Sequence, residues 1–313
     1  MTDASFALGI DLGTTNSALA SVPMGNKTDT PKPLAIPQTV APGETMADNL
    51  LPSFLYMTAE AERASAAFAL PWQESTEQVV GTYARKQGAA TPGRLISSAK
   101  SWLSYSGIDR RADVLPWEAP EGIPKISPLE ASAHYLAHLR AAWDSAHPDA
   151  PLSEQDVVLT VPASFDAVAR ELTVEAASNL GVKDNLRLLE EPQAALYAWL
   201  ADKGDTWRDE LSVGDTILVC DIGGGTTDFS LISVQEEEGV LQLERVAVGD
   251  HILLGGDNMD LALAYAVSAK LEQKGKRLDD WQMRGLVHGC RAAKESLLAD
   301  ESLDTYPLAI TSR

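Results

Sequence analysis

The chain has 313 residues, of which 45% are hydrophobic, and this length is enough for two domains with a substantial core. Its 45 acidic residues outnumber its 25 Lys and Arg residues, and the formal net charge of −20 argues against nucleic acid or an anionic membrane surface as a partner, because both attract clustered basic side chains. The two cysteines lack the spacing of a metal site, and the N-terminus lacks the character of a signal peptide. No apolar run approaches the roughly 18 residues that a membrane-spanning helix needs. We therefore expect the protein in the cytoplasm.

The first predicted element is a β-hairpin over residues 5–22. An apolar run leads to Asp11, a glycine and two threonines form the turn, and a second apolar run follows at 18–20. The hairpin therefore carries an acid and two hydroxyls at its tip.

Between this hairpin and residue 215, strand patterns alternate with helix patterns, which is typical of an α/β architecture. The clearest helix begins near Ser127, a predicted N-cap followed by Pro128 in the first turn. The predicted elements are, in order, loops with short strands at 23–49, a strand at 50–56, a loop or short helix at 58–70, a largely helical stretch at 79–105, an irregular segment at 106–126, a helix at 126–145, a strand at 156–161, a helix at 165–181, a strand at 186–189, a helix at 191–200 and a polar connector at 201–215.

A near-copy of the first hairpin tip appears about two hundred residues later. Residues 220–228 read CDIGGGTTD and residues 9–17 read GIDLGTTNS, so each copy has an apolar run, an Asp, a glycine turn and neighbouring threonines. Beyond the second hairpin we predict a strand near 241–248, a helix that starts at 255–260 and helix continuing to about 298. A final strand is predicted over 305–311.

The chemistry of these tips points to a polyphosphate. Glycine lets backbone N–H groups approach an anion closely, and Thr hydroxyls add donors to phosphate oxygens. An Asp would repel phosphate unless a cation lies between them, and Mg²⁺ is commonly held through carboxylates, waters and substrate phosphates. Two such hairpins facing each other would hold one polyphosphate from both sides, which implies two related lobes with a nucleotide in the cleft. The chain has no Walker loop, and strand character continues past the turns where a Rossmann fingerprint would lead into a helix.

Six separated segments carry a family resemblance. They read GIDLGTTNSALA, LLPSF, VVLTVPASFDAVARELTVEAASNLG, LLEEPQAALYAWL, ILVCDIGGGTTDFSLISV and LLGGDNMD. Together they resemble the ATPase domain of the DnaK-like 70-kDa heat-shock chaperones, a branch of the actin and sugar-kinase superfamily. The resemblance implies an α/β, actin-like ATPase fold with a duplicated ribonuclease H-like motif and two lobes around a nucleotide cleft. Residues 1–207 would form the first lobe, with an upper subdomain at about 50–126, and residues 208–313 would belong to the second lobe.

The resemblance also implies roles for individual residues. Asp11 and Asp221 would hold Mg²⁺ through its waters, Lys100 would reach the γ phosphate, and Glu191 would orient the attacking water. Two groups would cradle ATP or ADP from the two lobes: Gly13, Thr14, Thr15 and Asn16 from the first, and Gly223, Gly224, Gly225, Thr226 and Thr227 from the second, with Thr226 also counted as catalytic. Further contributions to the nucleotide site are implied for Gly255, Gly256 and Lys294, and Asp228 would supply a further acid or a cation ligand, with K⁺ as a second cation beside Mg²⁺.

Two implied positions concern allosteric coupling. Pro162 and Arg170 match residues that the family uses to couple nucleotide state to peptide binding. The alternatives are a strand terminator for Pro162 and a surface helix residue for Arg170, and for Lys100 the alternative is a solvated helix lysine.

The sequence departs from the family pattern in two places. Glu295 stands where the family usually has an arginine that stacks on the adenine base, and Arg291 stands where it usually has an acid, a swap that could preserve an ion pair but removes the stacking platform. The predicted final strand meets the end of the chain, and the family's later adenosine motif and peptide-binding domain do not appear. We therefore expect an N-terminal fragment of a longer protein, with the second lobe incomplete.

The expected function is Mg-dependent ATP binding and hydrolysis in a DnaK-like chaperone. The intact protein would work with a J-domain co-chaperone, a nucleotide-exchange factor and unfolded client peptides, and with neither nucleic acid nor membrane. A bacterial actin-like filament protein shares the two phosphate hairpins, a sugar or acetate kinase would need a substrate pocket that the sequence does not suggest, and a degenerate nucleotide-sensing relative remains open because of Glu295.

Overall fold

The computed structural model of the chain describes residues 4–25, 30–63, 66–117, 119–182, 185–237, 240–250 and 252–310. Its strands are β1 Phe6–Leu12, β2 Asn16–Pro23, β3 Lys32–Pro33, β4 Ile36–Ala41, β5 Glu44–Asp48, β6 Leu51–Pro52, β7 Leu55–Met57, β8 Gln78–Val80, β9 Leu95–Ile96, β10 Asp156–Val161, β11 Leu186–Glu190, β12 Thr216–Ile222, β13 Thr227–Glu237 and β14 Val240–Val248.

The helices are α1 Thr82–Ala90, α2 Ala99–Ser104, α3 Pro128–Ala146, α4 Ala167–Ala176, α5 Glu191–Lys203, α6 Trp207–Glu210, α7 Gly256–Glu272 and α8 Asp280–Ala299. The longest helices begin at side-chain caps, as α3 does where Ser127 Oγ accepts the Glu130 N–H at 3.0 Å. Across the described ranges, no helix combines the length and the hydropathy needed to cross a bilayer.

Two larger sheets carry the two predicted hairpins. The first sheet has the order β11-β10-β1-β2-β3, with β6 also paired to β2, and it combines an antiparallel β1–β2 hairpin with parallel β1–β10 and β10–β11 pairs. The second sheet is the antiparallel set β12-β13-β14. Two smaller sheets, β4-β5 and β8-β7-β9, cover the segment between the first hairpin and α2. The expected α/β class is confirmed.

The main core lies between the first sheet and α3. Alternate β1 side chains, Leu8, Ile10 and Leu12, are buried and pack in one cluster with Leu139 and Trp143 of α3. The Trp143 indole is fully buried, and its N–H donates to the Ala150 carbonyl at 2.9 Å. This packing fixes the strands whose ends carry the first glycine turn.

Several predicted elements are interrupted in the structure. The predicted strand at 50–56 is two short strands in different sheets, and the helical stretch at 79–105 is divided into α1 and α2 around Pro92 and Gly93, which cannot continue a helix well. The predicted 165–181 helix forms α4 and then tightens into a 3₁₀ turn that ends at Gly181, whose φ of 74° is the left-handed conformation of a helix stop. Between α7 and α8 the helix breaks at Gly275, which also has a positive φ.

The predicted strand at 305–311 is wrong over the described residues. Residues 303–310 contain no strand, because no described segment pairs with them, and residue 311 lies outside the described residues. Instead, Leu308 and Ile310 pack against the cluster that α7 and α8 form around Leu286.

We expect Trp143→Ala to lower the free energy of unfolding by about 3–5 kcal/mol, since it opens a large cavity and leaves the Ala150 carbonyl unpaired. Trp117→Ala is the matched control, because the Trp117 side chain is half exposed and its loss should cost about 1 kcal/mol or less. Urea unfolding followed by circular dichroism measures both values, and equal losses would contradict this account of the core.

Candidate functional site

The two hairpin tips have the same construction. In each hairpin, a turn of four residues connects the last paired residues of the two strands. These residues are Leu12 and Ser17 in the first hairpin and Ile222 and Thr227 in the second. Asp11 and Asp221 therefore occupy the same register position, one residue before the last strand pair. The predicted duplication is present in the structure.

The tips of the two hairpins touch each other. A methyl group at Gly224 would overlap the side chain of Thr15, and one at Gly225 would overlap Ser101 Oγ and crowd Thr14. Only glycine permits this approach at both positions, so the two sheets meet at their phosphate-type turns.

A cavity of about 590 Å³ lies beneath this contact. It brings together most of the predicted site residues, namely Asp11, Gly13, Thr14, Thr15, Asn16, Lys100, Glu191, Asp221, Gly223, Gly224 and Thr226. Its lining does not include Gly225, Thr227, Asp228, Gly255, Gly256, Lys294, Pro162 or Arg170. Residues from both hairpins, from α2 and from the start of α5 thus converge on one volume.

Lys100 and Glu191 form a buried ion pair in this cavity. Lys100 Nζ lies 2.5 Å from Glu191 Oε1, and the two side chains are only 11% and 16% exposed. Burial raises the pKa of Glu191 to about 7 although the ammonium opposes that shift, and Asp11 and Asp221 raise it further. For Lys100, burial disfavours the charged form, but Glu191, Asp11 and Asp221 together outweigh it, and the pKa of Lys100 is raised. The alternative of a solvated helix lysine is wrong.

The carboxylates of Asp11 and Asp221 are oxygen ligands that a metal ion in the cavity could use. Asp11 Oδ1 accepts a hydrogen bond from Thr160 Oγ1 at 2.7 Å, which orients the carboxylate at the end of β1. No cluster of three or more His, Cys, Asp and Glu side chains that could hold a metal occurs in the described part of the chain. Two carboxylates that share a cavity nevertheless fit Mg²⁺, which keeps several waters and completes its shell with substrate phosphates.

Helix α7 supports the second turn with its own backbone. The N–H of Gly256 donates to the Gly223 carbonyl at 3.1 Å, and the N–H of Asp257 donates to the Gly224 carbonyl at 2.7 Å. The first backbone donors of α7 therefore stabilise the glycine turn. A direct contact of Gly255 or Gly256 with nucleotide remains a prediction.

Thr227 and Asp228 of β13 form side-chain hydrogen bonds with neighbouring segments. Thr227 Oγ1 donates to the Leu254 carbonyl at 2.9 Å, and Asp228, which is buried, accepts from Ser164 Oγ at 2.5 Å. These contacts connect β13 to the loop before α7 and to the segment that follows β10.

Arg291, Lys294 and Glu295 of α8 pair with residues of other helices. Arg291 Nε donates to Asp260 Oδ2 at 2.9 Å and its guanidinium also pairs with Asp257, whereas Glu295 lies 3.8 Å from Arg85 of α1. An ion pair between Arg291 and Glu295 is therefore ruled out here. Lys294 Nζ lies 2.6 Å from Asp260 Oδ1 and donates to the Gly256 carbonyl at 2.8 Å.

Neither of the two predicted coupling residues lines the cavity. Pro162 directly follows β10, and Arg170 of α4 pairs with Glu190 at 2.9 Å and donates to the Phe165 carbonyl at 3.2 Å. Glu190 also pairs with Arg245 of β14, so it connects the first sheet to the second.

Sequence reasoning missed Thr160, Ser164 and Glu190. Thr160 could have been found from its place at the carboxyl end of a strand parallel to β1, where side chains meet those of Asp11. No sequence signal marks Ser164 or Glu190.

Comparisons with known proteins agree on one family. The family model described as Hsp70 protein matches residues 7–312. The chain is 32% identical over 318 residues to a chaperone protein HscA homolog of Pseudoalteromonas atlantica and 33% identical over 309 residues to one of Shewanella loihica, in each case over 95% of this chain and 42% of the relative. It is also 33% identical over 309 residues to chaperone protein HscA of Serratia proteamaculans, over 93% of this chain and 42% of the relative. The chain spans less than half the length of these curated relatives.

The Glu191 shift gives a testable pH dependence. Between the ordinary pKa of 4.5 and the folded value of about 7, the folded state keeps a proton that the unfolded state has lost, so this group lowers the free energy of unfolding as pH rises through that window. We expect the stability of the wild type, relative to Glu191→Gln, to fall by about 2–3 kcal/mol between pH 5 and pH 8.

Urea unfolding of both proteins at the two pH values measures this difference. Glu295→Gln, at a partly exposed carboxylate, is the control for loss of one surface carboxylate. Parallel pH profiles for the wild type and Glu191→Gln would contradict the raised pKa.

Proposed function

The chain belongs to the Hsp70 family, and on that premise we propose that it binds ATP in the cavity between its two hairpin tips and hydrolyses it with Mg²⁺ to drive a chaperone cycle. The observation that carries the proposal is the convergence of the duplicated glycine turns on one cavity with Asp11, Asp221, Lys100 and Glu191. Its fold is the α/β, actin-like ATPase fold of that family. Residues 1–207 and 208–313 would be the two lobes.

The turns would bind the phosphates. Backbone N–H groups of Gly13 and Thr14, and of Gly224 to Thr226 on the opposite side, would donate to phosphate oxygens, with the threonine hydroxyls as further donors, while the Gly223 N–H closes the turn on the Thr226 carbonyl at 2.8 Å. Since the tips touch at Thr15 and Gly224, a nucleotide would enter and leave the cavity when the tips separate and would be held when they close.

Asp11 and Asp221 would hold Mg²⁺ through its waters, and the ion would neutralise charge on the phosphates. Lys100 would add a point charge near the terminal phosphate, as its raised pKa keeps the ammonium protonated. K⁺ near Asp228, which lies outside the cavity lining, would be a further cation next to that site.

Glu191 would act on the attacking water. A carboxyl with a pKa of about 7 exchanges its proton near neutral pH, which suits a group that orients water and accepts its proton. The ion pair with Lys100 fixes the direction of the carboxylate. Little covalent chemistry is required of the protein, because positioning and charge neutralisation account for most of phosphoryl transfer.

The wider cycle is part of the same proposal. Curated relatives named as chaperones extend well beyond the part that this chain matches, and client peptides would bind to that further part. A J-domain co-chaperone and an exchange factor would act on the cycle in the cytoplasm, and Pro162 and Arg170 would connect nucleotide state to client binding.

A nucleotide-sensing relative that binds without turnover is the second candidate. It is favoured by the charged groups of α8, where Arg291 and Lys294 already pair with Asp260, and Glu295 replaces a stacking arginine. Binding of Mg-ATP without phosphate release would select this candidate over hydrolysis.

We expect calorimetric titration with Mg-ATP and Mg-ADP to show micromolar or tighter binding that Asp11→Asn abolishes, because the substitution removes one of the two carboxylates that would hold the metal. Phosphate release measured on the same samples separates hydrolysis from binding alone. Undetectable binding by the wild-type chain would contradict the proposed site.

We expect Gly224→Ala to weaken Mg-ATP binding about tenfold or more, because the new methyl group would force the two tips apart at Thr15. Gly223→Ala is the matched control, since its methyl group would meet nothing closer than the Thr226 carbonyl oxygen at 3.4 Å and should cost less. The same titration compares them, and an equal loss in both variants would show that the contact between the tips is not what limits binding.

A further inference from the structure

Ser98 connects α2 to α7 across the contact between the two tips. It precedes Ala99 and Lys100, and its hydroxyl donates to Asp257 Oδ2 at 2.6 Å, although the two residues are 159 positions apart. Its φ of 56° is the left-handed conformation, which non-glycine residues adopt at a cost. A strained residue beside the cavity, with its side chain bonded to another segment, indicates that the contact holds the backbone there.

Asp257 is the point where three contacts meet. Its N–H donates to the Gly224 carbonyl at 2.7 Å, its Oδ2 accepts from Ser98, and its Oδ1 pairs with the Arg291 guanidinium. Arg291 is in turn held by Asp260, which is fully buried at the packed interface of α7 and α8. The carboxylate that receives Ser98 is therefore fixed both to the second glycine turn and to α8.

The two ends of the Ser98–Asp257 hydrogen bond belong to the two sides of the cavity. Helix α2 packs against α3 and α4, which cover the first sheet, whereas α7 carries the second turn. The hydrogen bond and the contact of Thr15 with Gly224 thus span the same gap. Separation of the two tips would therefore lengthen the Ser98–Asp257 hydrogen bond and the Thr15–Gly224 contact.

We propose that Ser98 and Asp257 are positioning residues that hold the Lys100 helix to the second glycine turn and thereby set how long a nucleotide stays bound. The inference rests on the proposed nucleotide site. Phosphates held between the tips leave only when the tips separate, and separation breaks the hydrogen bond from Ser98 to the charged Asp257. Its contribution appears in the dissociation rate, because the contact closes after the nucleotide has entered.

Two substitutions at Ser98 isolate the hydrogen bond from the backbone strain. Glycine and asparagine both tolerate the left-handed conformation, but only asparagine returns a donor toward Asp257. We expect Ser98→Gly to release N-methylanthraniloyl-ADP about tenfold faster in the presence of Mg²⁺, since a hydrogen bond to a charged group is lost. Ser98→Asn should restore the release rate to within about twofold of the wild type, with association rates unchanged in both.

Ser104→Ala is the matched control on the same helix. The Ser104 hydroxyl donates to the Ser101 carbonyl at 2.9 Å within α2, so its loss should leave nucleotide release unchanged. Stopped-flow release on the full chain measures all four proteins, and circular dichroism melting confirms that each is folded.

The outcomes separate the two proposals. Faster release in Ser98→Gly with rescue in Ser98→Asn supports the positioning role. Nucleotide binding by the wild type with the same release rate in Ser98→Gly overturns the positioning role and leaves the nucleotide site standing. A wild-type chain that binds no nucleotide overturns the nucleotide site and this inference with it.

Discussion

The rest of the site depends on the close approach of two hairpin tips, the second of which has no side chains where threonines of the first reach it. Gly224 lies against Thr15 and Gly225 against Thr14, so the two sheets are brought together by backbone and hydroxyl groups. Because the strands pass directly into these turns, the aspartates two residues before each turn line the same cavity. Substituting either glycine would separate the acids as well as the turns.

Charge inside the cavity is arranged around one cation. Three carboxylates, those of Asp11, Asp221 and Glu191, surround Lys100, and the ammonium is paired directly with only one of them. The remaining negative charge suits a divalent ion, and the same charge helps to keep Glu191 near its protonation midpoint at neutral pH. In the proposed site, a strongly acidic chain would bind a polyanion through a cation and local backbone donors rather than through its net charge.

The sequence predicted those features that depend on residues close together along the chain. Hairpins, the Ser127 cap and the strand at 156–161 follow from patterns within a few residues, and the structure has them. The interruption at Pro92 and the unpaired 303–310 segment were missed, because a strand also needs a neighbour and a helix boundary also depends on packing. Lys100 and Glu191 were named from family resemblance, but their pairing, and the contact of Ser98 with Asp257, join residues 91 and 159 positions apart. No single-sequence pattern encodes such contacts.

The parallel pairing of β1 with β10 has a consequence for biosynthesis. Ala7 lies opposite Asp156, so β1 obtains β2 as a neighbour within a few residues but must wait for about 150 more before β10 exists. At ribosomal rates of about 5–20 residues per second, that interval is roughly 7–30 s. Throughout it, one edge of β1 has no strand beside it, and for most of it α3, which later covers the apolar side chains of β1, has not been synthesised. A member of a chaperone family thus exposes an unpaired strand edge, the kind of surface that favours aggregation, while it is being synthesised.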